Sequence, residues 1–172
     1  MPGNDDAVTR LFVAVWPSEQ ARQHVRSLPR DGWVNVRWTS EDNWHITLAF
    51  IGEAEIHEIV GRLQDGDYPG STAELASRMR VMGGSSLVVP VTGLDALADA
   101  VRARVFDEPP RQPFLGHLTV GRSIDRRPIS GRSRTGQVLA PLAFDVEEVA
   151  LVRSTLSPAG ARYDTVSTFA CR

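Results

Sequence analysis

Trp44-His45-Ile46-Thr47-Leu48-Ala49-Phe50 and Gly116-His117-Leu118-Thr119-Val120-Gly121-Arg122 read as two copies of one design. Each sets a His-x-Thr triplet in an apolar, partly β-branched run, which is the pattern of a buried strand. Residues i and i+2 of a strand share a face. His45 and Thr47 therefore project together, away from Ile46 and Leu48. His117 and Thr119 repeat this against Leu118 and Val120. One such triplet is a common core feature, a strand histidine satisfied by a nearby hydroxyl. With four histidines in 172 residues, two triplets in matching strand contexts ask for a functional explanation.

The rest of the chain is read outward from these strands. Residues 1–9 are polar and acidic and are expected to form a flexible leader. Residues 10–16 read as a strand closed by Pro17, and Ser18 then caps a helix running to Leu28. His24 falls in that helix and is read as a surface residue. A strand over 34–39 precedes the first triplet strand, 44–51. Residues 55–63 form an amphipathic helix in which neighbouring His57 and Glu58 do not face each other and are read as solvated. Residues 71–81 are expected to be one strand, and 87–91 another after the Gly83-Gly84 turn. Thr92 is expected to cap a helix reaching Phe106. After the stiff stretch 109–113 comes the second triplet strand, 115–122. An Arg-rich loop follows over 123–137, then a strand over 144–154 that turns at 157–160 into a partner strand, 162–169. Each triplet strand is thus preceded by a helix. That parallel points to an internal duplication, with two lobes pairing their triplet strands about a pseudo-two-fold axis and leaving a groove floored by His45, Thr47, His117 and Thr119.

Composition narrows the function. The length suits a single domain, 1–172, with a substantial core. The net charge of −2 gives no overall attraction to nucleic acid or membrane, so an anionic substrate needs a local basic patch. All 19 basic residues are Arg, so such a patch would be built of planar, permanently charged forks. The absence of lysine removes Schiff-base and P-loop chemistry. The lone Cys171 cannot form an internal disulfide, and no signal-peptide pattern or membrane-length apolar run is present. A cytoplasmic protein with no membrane association is expected.

Two facing histidines can divide acid and base duties, because an imidazole with an ordinary pKa near ~6.5 can hold or release a proton at neutral pH. A phosphodiester needs that division: a base for water on one side of phosphorus and an acid for the leaving oxygen on the other. The threonine hydroxyls can bind the non-bridging oxygens, and Arg122 can add a charge-assisted contact. Two histidines are a poor zinc set, with no HExxH pattern beside them. No GxSxG elbow signals a serine hydrolase.

At these residues the sequence resembles the 2H phosphoesterase superfamily, and within it the LigT-like bacterial and archaeal RNA 2′,3′-cyclic phosphodiesterases, once named 2′-5′ RNA ligases. The likeness runs through Arg10-Leu11-Phe12, Arg37-Trp38, Asn43 to Glu53, Pro113 to Arg122, Leu151 to Ser154 and Gly160 to Tyr163. It implies an α+β, bilobal fold: two antiparallel sheets with pseudo-two-fold symmetry around a central groove, helices outside. It also implies His45 as proton donor, His117 as proton acceptor, and Thr47, Thr119 and Arg122 as phosphate-binding residues. The implied reaction opens a terminal 2′,3′-cyclic phosphate to a 2′-phosphomonoester with no metal or other cofactor. The implied partner is RNA or a nucleotide with a cyclic phosphate end, bound by a monomer. The chain departs from the family pattern at Gly116, where Pro is usual, and at Arg153, where an acidic residue is usual. Other substrates in play are a 2′-5′ oligonucleotide or an ADP-ribose cyclic phosphate, and the non-enzymatic alternative is an RNA-end binding module. Phe114, Trp44 and Tyr163 are candidates for base stacking, each also readable as core.

Overall fold

The computed structural model describes residues 8–108, 110–132 and 140–172. In chain order the elements are β1 (Thr9–Val15), α1 (Glu19–Ser27), β2 (Trp33–Val34), β3 (Val36–Trp38), a 3₁₀ turn (Glu41–Asn43), β4 (Ile46–Ala54), α2 (Ile56–Gln64), β5 (Ser71–Leu75), β6 (Arg80–Met82), β7 (Ser86–Thr92), α3 (Asp95–Val105), β8 (His117–Ser123), β9 (Ser130–Gly131), β10 (Leu142–Val146), β11 (Glu148–Ser157) and β12 (Gly160–Ala170).

The strand order exposes the duplication. The main sheet runs β10-β5-β7-β8-β4-β1-β11-β12, with every pairing antiparallel. Cut between β8 and β4, it gives two four-stranded halves in mirrored order, each with a His-x-Thr strand at the cut. The halves are joined there by a single residue pair, Ile46 with Leu118. One pair is enough to align two strands and too little to flatten them into one surface, so the halves curl around a shared groove. Each lobe also receives the other's helix: α1 packs on β10 and α3 on β4. The α+β bilobal expectation holds, with the two sheets joined at one bridge.

The two sheet faces differ in kind. One carries the main core, in which Leu11, Val13, Ile46, Leu48, Leu87, Val89, Leu118 and Leu151 pack against the buried faces of the three helices. Burying such side chains is the dominant favourable term in folding. The groove face holds a small cluster, Phe12, Ala14, Ala150 and Val152, with Trp16 and Tyr163 packed on it. Ser18 caps α1 as its sequence implies, accepting from the Ala21 N–H at 3.2 Å.

Several expectations are corrected. The 34–39 strand is broken at Asn35, whose φ of 67° ends β2 and starts β3. The 71–81 strand is two pieces on different partners: β5 pairs β10 and β7, and β6 pairs the far end of β7. Alternation alone ran across the bend between them. The 144–154 strand likewise divides at Glu147 into β10, the edge of one half-sheet, and β11, which lies inside the other. Thr92 does not cap α3, because β7 extends through it and the helix begins two residues after Gly93. Gly93 takes φ 86° against the Thr72 carbonyl, where a β-carbon would overlap the oxygen. Thr9 lies in β1 and not in a leader; residues 1–7 and 133–139 of the expected leader and loop fall outside the described residues. His24 is half-buried and bonded to the Ala76 carbonyl at 3.0 Å.

Candidate active site

β4 and β8 present their triplets as the alternation requires. Ile46 and Leu118 are fully buried and Leu48 and Val120 nearly so, while His45, Thr47, His117 and Thr119 are half-exposed on the other face. The antiparallel bridge at Ile46–Leu118 sets His45 beside Thr119 and Thr47 beside His117. The four predicted residues therefore meet at the seam between the lobes.

Both imidazoles are fixed by the same local device. His45 Nδ1 donates to the Asn43 carbonyl at 2.7 Å, and His117 Nδ1 donates to the Leu115 carbonyl, also at 2.7 Å. Each acceptor lies two residues back along its own chain. A carbonyl can only accept, so Nδ1 carries the hydrogen and Nε2 is left for chemistry in the groove.

Arg122 reaches the site for a reason that simple alternation conceals. Strict period-two reading puts it on the core face, opposite His117. The β7–β8 register, however, advances one residue on β7 (Leu87 to Val88) against two on β8 (Gly121 to Thr119). This bulge leaves Val120 and Gly121 both buried and returns Arg122 to the groove. Its guanidinium donates to Ser86 Oγ at 3.0 Å. β4 has the same bulge, one step on β1 (Val13 to Ala14) spanning two on β4 (Ala49 to Thr47). Leu48 and Ala49 are both buried, and Phe50 emerges into the groove 54% exposed. The fifth residue after each histidine is thus a groove residue, aromatic in one lobe and cationic in the other. Sequence reading missed Phe50 because a bulge has no mark in the hydrophobic pattern.

The histidines open onto unlike surroundings. A cavity of about 240 Å³ beside His45 is lined by Arg10, Phe12, Thr47, Phe50, Arg122, Ser154, Leu156, Ala161 and Tyr163. The His45 ring lies 4.9 Å from Phe12, 5.1 Å from Tyr163 and 6.0 Å from Trp16, centroid to centroid. This enclosure, aided by the positive charge of Arg122 and by His117, pushes the His45 pKa below its ordinary value, and the Asn43 hydrogen bond only partly opposes it. His117 borders a second cavity of about 350 Å³ with Arg80, Met82, Val88, Pro90 and Leu115. Among the stacking candidates, Trp44 is wholly buried and Phe114 lies in the core under the Arg102 guanidinium, which leaves Tyr163 in the groove.

The departures at Gly116 and Arg153 prove to be of different kinds. Gly116 sits where a β-carbon would overlap the Val91 carbonyl oxygen, so the β7–β8 pair closes tightly just before His117. Arg153 pairs with Leu11 across β1 and β11, on the face away from the groove, with Asp164 3.8 Å away. It is not part of the groove wall. Among the described residues, no three His, Cys, Asp or Glu side chains gather as a metal site, and no helix is long and apolar enough to cross a membrane.

Comparison with known proteins agrees with this geometry. The family described as LigT like Phosphoesterase matches residues 13–76. An RNA 2′,3′-cyclic phosphodiesterase of Thermus thermophilus is 30% identical, with 95% of this chain aligned to 90% of that protein. A Geobacillus stearothermophilus protein of the same name is 24% identical over 94% of this chain, which spans 57% of that relative's length. The apo structure of E. coli LigT superposes with a TM-score of 0.69 at 23% identity, covering 96% of this chain and 98% of the other. With its mirrored half-sheets, its paired His-x-Thr strands and a 30% identical relative aligned almost end to end, the chain belongs to the LigT-like 2H phosphoesterases.

Proposed function

We propose that this protein hydrolyses RNA 2′,3′-cyclic phosphate ends to 2′-phosphomonoesters by metal-independent two-histidine catalysis. The observation that carries the reading is the matched anchoring of two imidazoles by i−2 carbonyls on either side of one groove. A binding module would not need both rings held by Nδ1 with Nε2 left free. The curated relatives named RNA 2′,3′-cyclic phosphodiesterase support the same substrate class.

In this mechanism the cyclic phosphate lies between the rings, its non-bridging oxygens on Thr47, Thr119 and Arg122. His117 Nε2 takes a proton from water as the water oxygen bonds to phosphorus. The P–O3′ bond breaks, and O3′ receives the proton from His45 Nε2. The product keeps its 2′-phosphate and gains a 3′-hydroxyl, and solvent exchange returns each histidine to its starting state. Fixed hydroxyls and a guanidinium around the developing charge stabilise it without reorganisation. The aromatic wall of Phe50 and Tyr163 offers the terminal base a stacking surface.

One observation favours the exchanged assignment of the rings: enclosure holds His45 below its ordinary pKa, which suits an acceptor. In the first assignment the bound phosphate offsets the Arg122 charge, so His45 takes up its proton together with substrate. The test of the function is turnover of nucleoside 2′,3′-cyclic phosphates and a cyclic-ended RNA in EDTA. Formation of 2′-phosphate, abolished in both His45→Ala and His117→Ala, is expected. Cyclic-ended RNA that binds the wild type without turnover would overturn the enzyme reading in favour of binding.

A further inference from the structure

The groove face continues past Arg122 onto β3, where the pairing sets Arg37 directly across from Arg122. Cross-strand partners share a face, and like charges placed directly opposite destabilise a sheet. The Arg37 side chain is exposed and makes no hydrogen bond, ion pair or ring contact among the described residues. Arg122 is tied to Ser86 on the far side, so it does not relieve the repulsion by leaving. The arrangement is also held rigidly. Asn35, which begins the approach to β3, accepts from the Ile124 N–H at 3.2 Å through its carbonyl, and its side-chain amide donates to the Arg127 carbonyl at 2.6 Å. The loop after β8 is thereby folded back beside Arg37 with Arg126 and Arg127 exposed on it. In a chain of net charge −2, Arg37, Arg122, Arg126 and Arg127 form a rim, interrupted only by Asp125, that carries net positive charge and leads from Arg122 away from the groove.

We propose that Arg37, opposite Arg122, seats a second phosphate of the substrate: the internucleotide phosphodiester one step 5′ of the cyclic end. Resting on the function proposed above, this makes Arg37 a specificity residue that selects oligoribonucleotide ends over mononucleotides. The guanidinium fork suits the task, since it can hold two oxygens of a diester at once.

The test compares three substrates: a nucleoside 2′,3′-cyclic phosphate, the same compound with a 5′-phosphate, and a dinucleotide with a cyclic end. The wild type is expected to prefer the dinucleotide over the mononucleotide in kcat/KM. Arg37→Gln is expected to lower that ratio roughly tenfold, the scale of one charge-assisted phosphate contact, and to reduce the salt slope for the dinucleotide by about one. An unchanged ratio in folded Arg37→Gln and Arg37→Glu would overturn the proposal. Loss of preference only for the 5′-phosphorylated mononucleotide would also overturn it, since the seat would then be for a terminal phosphate. The same ratio is read in parallel as Kd for the 2′-phosphate mono- and dinucleotide products. If the wild type turns over no cyclic phosphate, the proposed function fails, and the Kd ratio still decides whether Arg37 binds the second phosphate.

Discussion

The two His-x-Thr lobes share their backbone and differ in almost everything placed upon it. Both pin the histidine Nδ1 to the carbonyl two residues back at 2.7 Å. Both bulge immediately after the threonine, which delivers the fifth residue after histidine to the groove. Around that frame, one lobe encloses its imidazole with Phe12, Trp16 and Tyr163 and offers Phe50. The other sets His117 across from Pro90 and offers Arg122. In the proposed mechanism the repeated part positions the phosphate, and the diverged part gives two identical rings different surroundings.

The largest expected effects break the comparison at the rings themselves. Replacing either histidine with alanine should lower turnover of the cyclic phosphate by about 10²–10⁴-fold, the range of general acid–base catalysis. The sharper experiment uses a diester with an activated leaving group such as p-nitrophenolate, which departs without a proton. The donor variant should recover most of its activity on that substrate and the acceptor variant should not. Recovery by His45→Ala would assign His45 as donor; recovery by His117→Ala instead would establish the exchanged assignment.

Next come the two residues that emerge from the bulges. Arg122→Gln should lower kcat/KM by roughly 10²-fold on every substrate, as expected when a donor to developing negative charge is removed. Phe50→Ala should act on KM by about 5–100-fold, equivalent to the loss of one base stack. Its effect should depend on the base, with purines losing more than pyrimidines. A base-independent effect of Phe50→Ala would mean that the ring shapes the cavity and does not contact the base.

The duplication was legible in the sequence because it is written in side-chain chemistry: His and Thr at i and i+2 in apolar strands predict a shared face, and that face formed. The bulges were not legible. They arise from pairing with β1 and β7, and pairing partners are set by tertiary packing, not by local pattern. Period-two reading therefore sends Phe50 and Arg122 to the core, and Arg122 stayed in view for its charge just past the second triplet and for the family resemblance, not for its place in the alternation. The broken strands at 76–79 and at Glu147 have the same cause, because an unbroken apolar alternation says nothing about where one partner ends and another begins. Trp44 and Phe114 show the converse. An aromatic next to a motif is usually there to hold the strand down, and both are in the core.

A smaller effect tests the residue before each histidine, which is the fully buried Trp44 in one lobe and Gly116 in the other. Gly116→Ala forces a methyl group into the Val91 carbonyl and should destabilise the fold by about 1–3 kcal/mol, the usual range for overpacking. The displaced β7–β8 pair carries His117, so turnover should fall more than that of a surface Gly→Ala control such as Gly61→Ala, where a β-carbon meets nothing within 4 Å. Equal stability of Gly116→Ala and Gly61→Ala in urea melts would refute this account of the departure from proline.

The smallest effect is the pH dependence that the enclosure of His45 imposes on the free protein. An unfolded chain protonates this histidine at about pH 6.5, whereas the folded chain resists until a lower pH because burial disfavours the charged ring. Above 6.5 both states hold the ring neutral and its contribution to stability is fully present. As pH falls below 6.5 the unfolded state binds the proton first, and stability declines until the folded pKa is passed. Urea midpoints between pH 7.5 and 5 should therefore fall more steeply in wild type than in His45→Gln. Sulfate, a dianion throughout this range, should oppose the loss, since an anion beside Arg122 removes part of what keeps the proton away, and its affinity should rise as pH drops through the same window. Sulfate binding that is flat from pH 7.5 to 5 would separate the two facts: His45 would still be enclosed, and its proton would not be coupled to the occupant of the groove.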